Sequence, residues 1–130
     1  GYYSDHAKQE GIPFLAQIDI PENFAGDEMD ICLVLSNLLE NAIEASLKTE
    51  DSRRKIVIKM YLHHTHILLI QAENNFDAKI LEKNGVFQST KHSGNGIGIQ
   101  SIRHITERNG GASSFTYKDG EFMAKIMIRI

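Results

Sequence analysis

The chain has 130 residues, 42% of them hydrophobic and 24% charged, with a formal net charge of −3. That balance suits one globular domain around one core and excludes a dominant role in nucleic-acid binding, which needs a basic footprint. No apolar run approaches the ~20 residues of a membrane span, no stretch reads as a secretory leader, and a single cysteine permits no internal disulfide, in keeping with a reducing compartment.

Residues 3–9 read as a short helix closed by Gly11, and the chain opens inside it as an excised domain of a larger protein is expected to. Residues 14–20 alternate in part and read as a strand stopped by Pro21. Asp27 is placed to cap a long helix running to about Lys48, with Cys32 expected in its apolar core. Residues 49–54 form a charged turn. Residues 55–62 alternate strongly, as a half-buried strand does. His63-His64 is expected to turn the chain into a second strand over 65–72.

Periodicity fails over 73–95. A stretch of that length without an element of its own is often a functional lid. Residues 97–108 read as the second long helix, with Ile99, Ile102, Ile105 and Thr106 at helical spacing and Asn109-Gly110-Gly111 as its C-cap. Residues 113–117 and 122–130 form a hairpin around Lys118-Asp119-Gly120. No internal repeat appears. The order predicts an α+β two-layer sandwich, with helices covering one face of a mixed, largely antiparallel sheet.

Two segments carry chemistry. In the first long helix Asn37 and Asn41 lie four residues apart and so share a face, with Glu40 and Glu44 close to that line. Leu35, Leu38, Leu39, Ala42 and Ala45 supply an apolar face elsewhere. A row rich in oxygen acceptors suits a hard cation such as Mg²⁺, which keeps several waters and is usually shared with phosphates. A solvated helix face is the alternative for the Asn pair alone. The second segment is Ser93-Gly94-Asn95-Gly96-Ile97-Gly98-Ile99, glycine-rich and running into the second helix. Glycines let backbone amides approach a phosphate, and a helix start adds unpaired N–H groups and partial positive charge. It is neither a Walker loop nor a dinucleotide fingerprint, since the Gly-Lys-Ser/Thr of one and the strand of the other are missing.

Together these segments resemble a family. Asn37-Leu38-Leu39-Glu40-Asn41-Ala42 resembles the N box of the ATPase superfamily that holds DNA gyrase, heat-shock chaperones, mismatch-repair proteins and sensor histidine kinases. Gly94-Asn95-Gly96-Ile97-Gly98-Ile99 resembles its second glycine box. Ile70-Gln71-Ala72-Glu73-Asn74-Asn75 stands where its first box belongs. The resemblance covers residues 14–130 and is most similar to the catalytic ATP-binding domain of sensor histidine kinases. Glu44-Ala45-Ser46 after the N box, Asn74 in place of Asp, Phe76 in place of glycine and Ser89-Thr90-Lys91 before the second box are similar to Gram-positive kinases that sense peptide pheromones.

The resemblance implies a Bergerat-type ATP-binding fold and a single catalytic domain over 1–130, with 1–11 as the tail of a connecting helix and 73–95 as the ATP lid. It implies ATP and Mg²⁺ as cofactors, with Asn41 as the metal ligand and Asn37 as its polar partner. Asn74 would accept from the adenine amino group, and a carboxamide oxygen does so without charge assistance. Gly94, Gly96, Ile97 and Gly98 would form the phosphate box, with the amides of Gly96 and Gly98 facing the phosphates. Lys91 would contact a phosphate, and Thr90 would line the adenine pocket. The implied partners are a dimerisation domain bearing the acceptor histidine and a downstream response regulator, with no nucleic acid and no direct membrane contact. The implied location is the cytoplasmic side of a membrane-anchored sensor.

Departures bear on activity. Glu44 and Ala45 stand where many histidine kinases have a Lys and an aromatic. Asn37 replaces the Glu that activates water in gyrase and chaperone relatives, which speaks against fast hydrolysis and an ATP-driven clamp. Glu40 is the nearest candidate to assist transfer, so Asn37 and Glu40 carry the catalytic assignment; a solvated carboxylate is the other reading of Glu40. None of His6, His63, His64, His66, His92 and His104 sits in a long N-terminal helical pattern, so the phosphoacceptor is expected elsewhere. A degenerate nucleotide-binding scaffold and a small serine kinase of the anti-sigma type stay open.

Overall fold

The structure is a computed structural model describing residues 2–21, 26–64, 66–76 and 93–130, with side chains given at all of these but 2 and 93–97. The elements are α1 (Tyr2–Gln9), β1 (Phe14–Asp19), α2 (Glu28–Leu47), a 3₁₀ turn (Asp51–Arg53), β2 (Ile56–His63), β3 (Ile67–Asn75), α3 (Ser93–Arg108), β4 (Ala112–Lys118) and β5 (Glu121–Arg129). The five strands described form one sheet in the order β1-β2-β3-β5-β4, with β1 parallel to β2 and every other pairing antiparallel. Helices on one face of this mixed sheet make the α+β architecture expected from the element order.

Strand alternation builds the core. Ile56, Ile58 and Met60 of β2, Leu68, Ile70 and Ala72 of β3, and Ala124, Ile126 and Ile128 of β5 are all buried on one face. Register joins them into rows, Ile58 to Ala72 to Ala124 and Met60 to Ile70 to Ile126. Onto these rows α2 presses Ile31, Val34, Leu38, Leu39, Ala42 and Ile43, and α3 presses Ile102 and Ile105. Each fully buried side chain of this size contributes about 1.5–3 kcal/mol. Leu35 and Ala45 are only partly buried, so the covered face of α2 is rotated slightly from the one read in sequence.

Local signals set most boundaries. Asp27 caps α2 by accepting from the amide of Asp30 at 3.1 Å. Gly11 and Gly110 close α1 and α3 at φ +71° and +69°, and the amide of Gly111 returns to the Thr106 carbonyl at 2.8 Å. Asp119 and Gly120 turn the β4–β5 hairpin with φ 53° and 80°, the two left-handed residues of a type I′ turn.

Three places differ from the sequence reading. β3 runs on to Asn75 instead of ending at 72, because Asn74 and Asn75 stay in register with Phe122 and Glu121 of β5. The expected lid therefore begins as strand over 73–75 and ends in the first turn of α3 over 93–95, and residues 77–92, with Thr90, Lys91 and His92, lie outside the described residues. α3 starts at Ser93, before the 97 expected, so the glycine-rich box forms its first turns. Cys32 is exposed and not in the core: it sits one step off the buried Ile31, and a helix turns each residue by about a third of a circle.

Candidate functional site

α2 presents Asn37 and Asn41, both half-buried, on one flank, with Glu40 and Glu44 exposed beside them. α3 lies antiparallel along that flank. At one end Arg108 Nη2 and Asn109 Nδ2 donate to the two carboxylate oxygens of Asp30 at 2.6 and 2.9 Å. Near the other end Gly98 faces the asparagines. A Cβ placed on Gly98 would stand 3.7 Å from Asn37 Oδ1, 3.7 Å from Asn41 Oδ1 and 3.8 Å from Asn41 Nδ2. Two carboxamide oxygens thus converge on the space that a missing side chain leaves. Neutral oxygens with room beside them fit Mg²⁺, which takes few protein ligands and keeps water and phosphate oxygens.

Gly98 lies past the first turn of α3, so its amide belongs to the helical ladder and its bare Cα is what meets the site. Amides without an intrahelical partner fall in the first turn, where Gly94 and Gly96 lie. The side chain of Ile97 is outside the described ones.

Asn74 ends the core-facing row of β3. It is 3% exposed and stands in register between Ile56 of β2 and Phe122 of β5. Its Nδ2 donates to the carbonyl of Asn75 at 2.9 Å. The donor end of the carboxamide is thereby engaged, and Oδ1 is the acceptor end. Around the same strand end Thr49 donates from Oγ1 to the Ala45 carbonyl at 2.8 Å and reaches the Asn75 carbonyl at 3.4 Å. Arg54 donates from Nε and Nη2 to the carbonyls of Thr49 and Leu47 at 3.0 and 3.1 Å, satisfying the end of α2. Buried Thr49 and the Arg54 brace were not singled out in the sequence. Ser46 is visible there as the last residue of the Glu44-Ala45-Ser46 run and as a polar residue four places after Ala42, but its burial is not.

Glu40 is exposed, and the Tyr3 hydroxyl of α1 donates to its Oε1 at 3.1 Å. His6 faces Glu10 at 4.0 Å on the surface of α1. His63 and His64 meet ring edge to ring face with centroids 4.0 Å apart, and no described group of three His, Cys, Asp or Glu side chains converges to hold a metal. Asp30 was likewise missed. Bonds from Asn109 and then Arg108 hold its carboxyl below the ordinary carboxylate range, against burial that pushes it up. Among the described residues, no helix is long and apolar enough to cross a membrane.

Residues 27–129, which include Asn37, Asn41, Asn74 and the glycine box, match the model of the GHKL domain. The chain belongs to the GHKL domain family. Comparison with curated proteins by sequence gives no match. Among solved structures, this GHKL domain is similar to the nucleotide-free catalytic domain of histidine kinase ThkA, with TM-score 0.70 and 24% identity over 98% of this chain and 85% of that one. It is similar to the mycobacterial sensor histidine kinase MprB, at 0.68 and 16% over 98% and 89%. For the Acinetobacter baumannii histidine kinase AdeS the values are 0.67 and 16% over 98% and 59%. At these identities the GHKL domain shares their fold.

Proposed function

We propose that this GHKL domain binds Mg·ATP and is the catalytic domain of a two-component sensor histidine kinase, passing the γ-phosphate to a histidine on a separate dimerisation domain and from there to a response regulator. The observation that carries this reading is the convergence of Asn37 Oδ1 and Asn41 Oδ1 on the bare Cα of Gly98. That cradle lies beside a helix whose start supplies unpaired amides for phosphate. Asn74 supplies a buried acceptor for the base at the end of β3. The likeness to ThkA, MprB and AdeS, each a histidine kinase by name, supports the choice within the family.

Asn41 and Asn37 would hold Mg²⁺, whose part when bound is to neutralise phosphate charge. Gly94, Gly96 and Gly98 let the chain approach the phosphates. Lys91 and Thr90 are assigned to phosphate and base. Phosphoryl transfer needs mainly positioning and charge neutralisation. Asn37 cannot act as a base, and Glu40 is the carboxylate assigned to assist transfer, with the Tyr3 hydroxyl holding it. The Glu44-Ala45-Ser46 run and Asn74 support a place among pheromone-sensing kinases of Gram-positive bacteria, on the cytoplasmic side of a membrane-anchored sensor.

The test is calorimetric titration of the chain with ATP and ADP, with and without Mg²⁺. Binding is expected to strengthen with Mg²⁺ and to vanish in Asn41→Ala, with the variant still folded by circular dichroism. No binding at millimolar nucleotide would favour a scaffold, since Glu44, Ala45 and Asn74 each replace a stronger nucleotide contact.

A further inference from the structure

One buried polar atom has no partner among the described residues. Ser46, in the last turn of α2, is 0% exposed, and its Oγ makes no hydrogen bond. A buried hydroxyl left unpaired is costly, and a helical serine ordinarily finds the carbonyl four residues back. Thr49, one turn later, does so at 2.8 Å, which leaves Ser46 as the uncommitted donor of the pair.

Its place is fixed by its neighbours. The Thr49 hydroxyl reaches the Asn75 carbonyl at 3.4 Å, so the ends of α2 and β3 lie together. Ser46 lies in the last turn of α2, just ahead of this junction, and Asn74 is the residue of the strand end on the core face. Ser46 and Asn74 are the buried polar residues nearest that junction on the two elements.

Resting on the nucleotide-binding reading above, we infer that Ser46 is an adenine-contact residue: its hydroxyl donates to adenine N1 while Asn74 Oδ1 accepts from the adenine amino group. Adenine offers a donor beside an acceptor on that edge, and guanine offers the reverse. The hydroxyl can rotate to suit either base. Asn74 cannot, because the Asn75 carbonyl holds its N–H. The carbonyl of Asn75 thus acts as an orientation lock that keeps a neutral carboxamide selective for adenine.

The test titrates the chain and its Ser46→Ala and Ser46→Cys variants with ATP, GTP and 1-deaza-ATP, in which N1 is replaced by C–H. Wild type is expected to bind ATP at least about tenfold tighter than GTP. Ser46→Ala is expected to bind ATP roughly five- to tenfold more weakly, the loss of one hydrogen bond, while melting no lower than wild type. Ser46→Cys, nearly isosteric with a poor donor, is expected to follow Ser46→Ala should the latter pack badly. With 1-deaza-ATP wild type and both variants are expected to bind alike. Unchanged ATP affinity in both variants, or an equal loss with 1-deaza-ATP, overturns the assignment while nucleotide binding by wild type stands. Failure of wild type to bind any of the three overturns both.

Discussion

Gly98 shows how one missing side chain can define a site. A methyl there would be in ordinary van der Waals contact with both asparagine oxygens and would cover the acceptors with hydrocarbon. Alanine is also the better helix former, by about 1 kcal/mol. Gly98→Ala is therefore expected to melt at or above the wild-type temperature while binding Mg·ATP at least about tenfold more weakly. Thermal melts and titration on the same sample check both halves, and undiminished binding would separate Gly98 from the cradle. Much at this scale was legible in the chain. Asp27, Gly110 and Asp119-Gly120 act on backbone within a few residues of themselves, so sequence reveals them. Ser46 and Asp30 are polar residues whose significance lies in burial and in partners far along the chain, and only the fold displays that.

The joint of α2 and α3 rests on Asp30, held by Arg108 and Asn109 at the far end of the helix pair from the asparagine cradle. Its carboxyl is held down in the folded state. Its contribution is therefore complete above the unfolded carboxylate range and is lost as pH falls through the lower, folded value. Urea unfolding across acid pH is expected to show Asp30→Asn less stable than wild type at neutrality, with the two curves converging below the ordinary carboxylate range. A variant as steep in acid as wild type would remove Asp30 from the acid response. Just past this same end of α3 the chain passes β5 so closely that a Cβ on Gly111 would lie 1.8 Å from the Met127 carbonyl oxygen. Gly111→Ala is expected to destabilise by about 3 kcal/mol, read as a lower urea midpoint; a midpoint within error of wild type would show that the junction can shift. Element boundaries were the less legible part. The end of β3 depends on register with Glu121, a contact between distant residues. The start of α3 is hidden by glycines, each of which argues against helix locally.

Across the whole molecule, one sheet face is buried beneath the helices and the other faces outward, with a shallow groove among Tyr61, Leu69, Gln71, Ser114, Lys125 and Met127. The nucleotide reading places the ligand on the helix side, where binding to the folded chain alone stabilises it by mass action. Mg·ATP at a hundredfold over its Kd is expected to raise unfolding free energy by about 2.7 kcal/mol, and the increment is expected to vanish in Asn41→Ala. Equal stabilisation of both would point to binding away from the cradle. The strand order carries a kinetic consequence. β2–β3 and β4–β5 are hairpins of near neighbours, but the seam between β3 and β5 joins segments separated by the glycine box and all of α3. Contacts that close long loops form slowly. Gly98 lies on the segment that this seam encloses, while Asn37 and Asn41 lie on α2 ahead of it, so the site is completed only once the two hairpins have met. A ligand held there would act on the route out of the native state, slowing unfolding and leaving the refolding rate nearly unchanged.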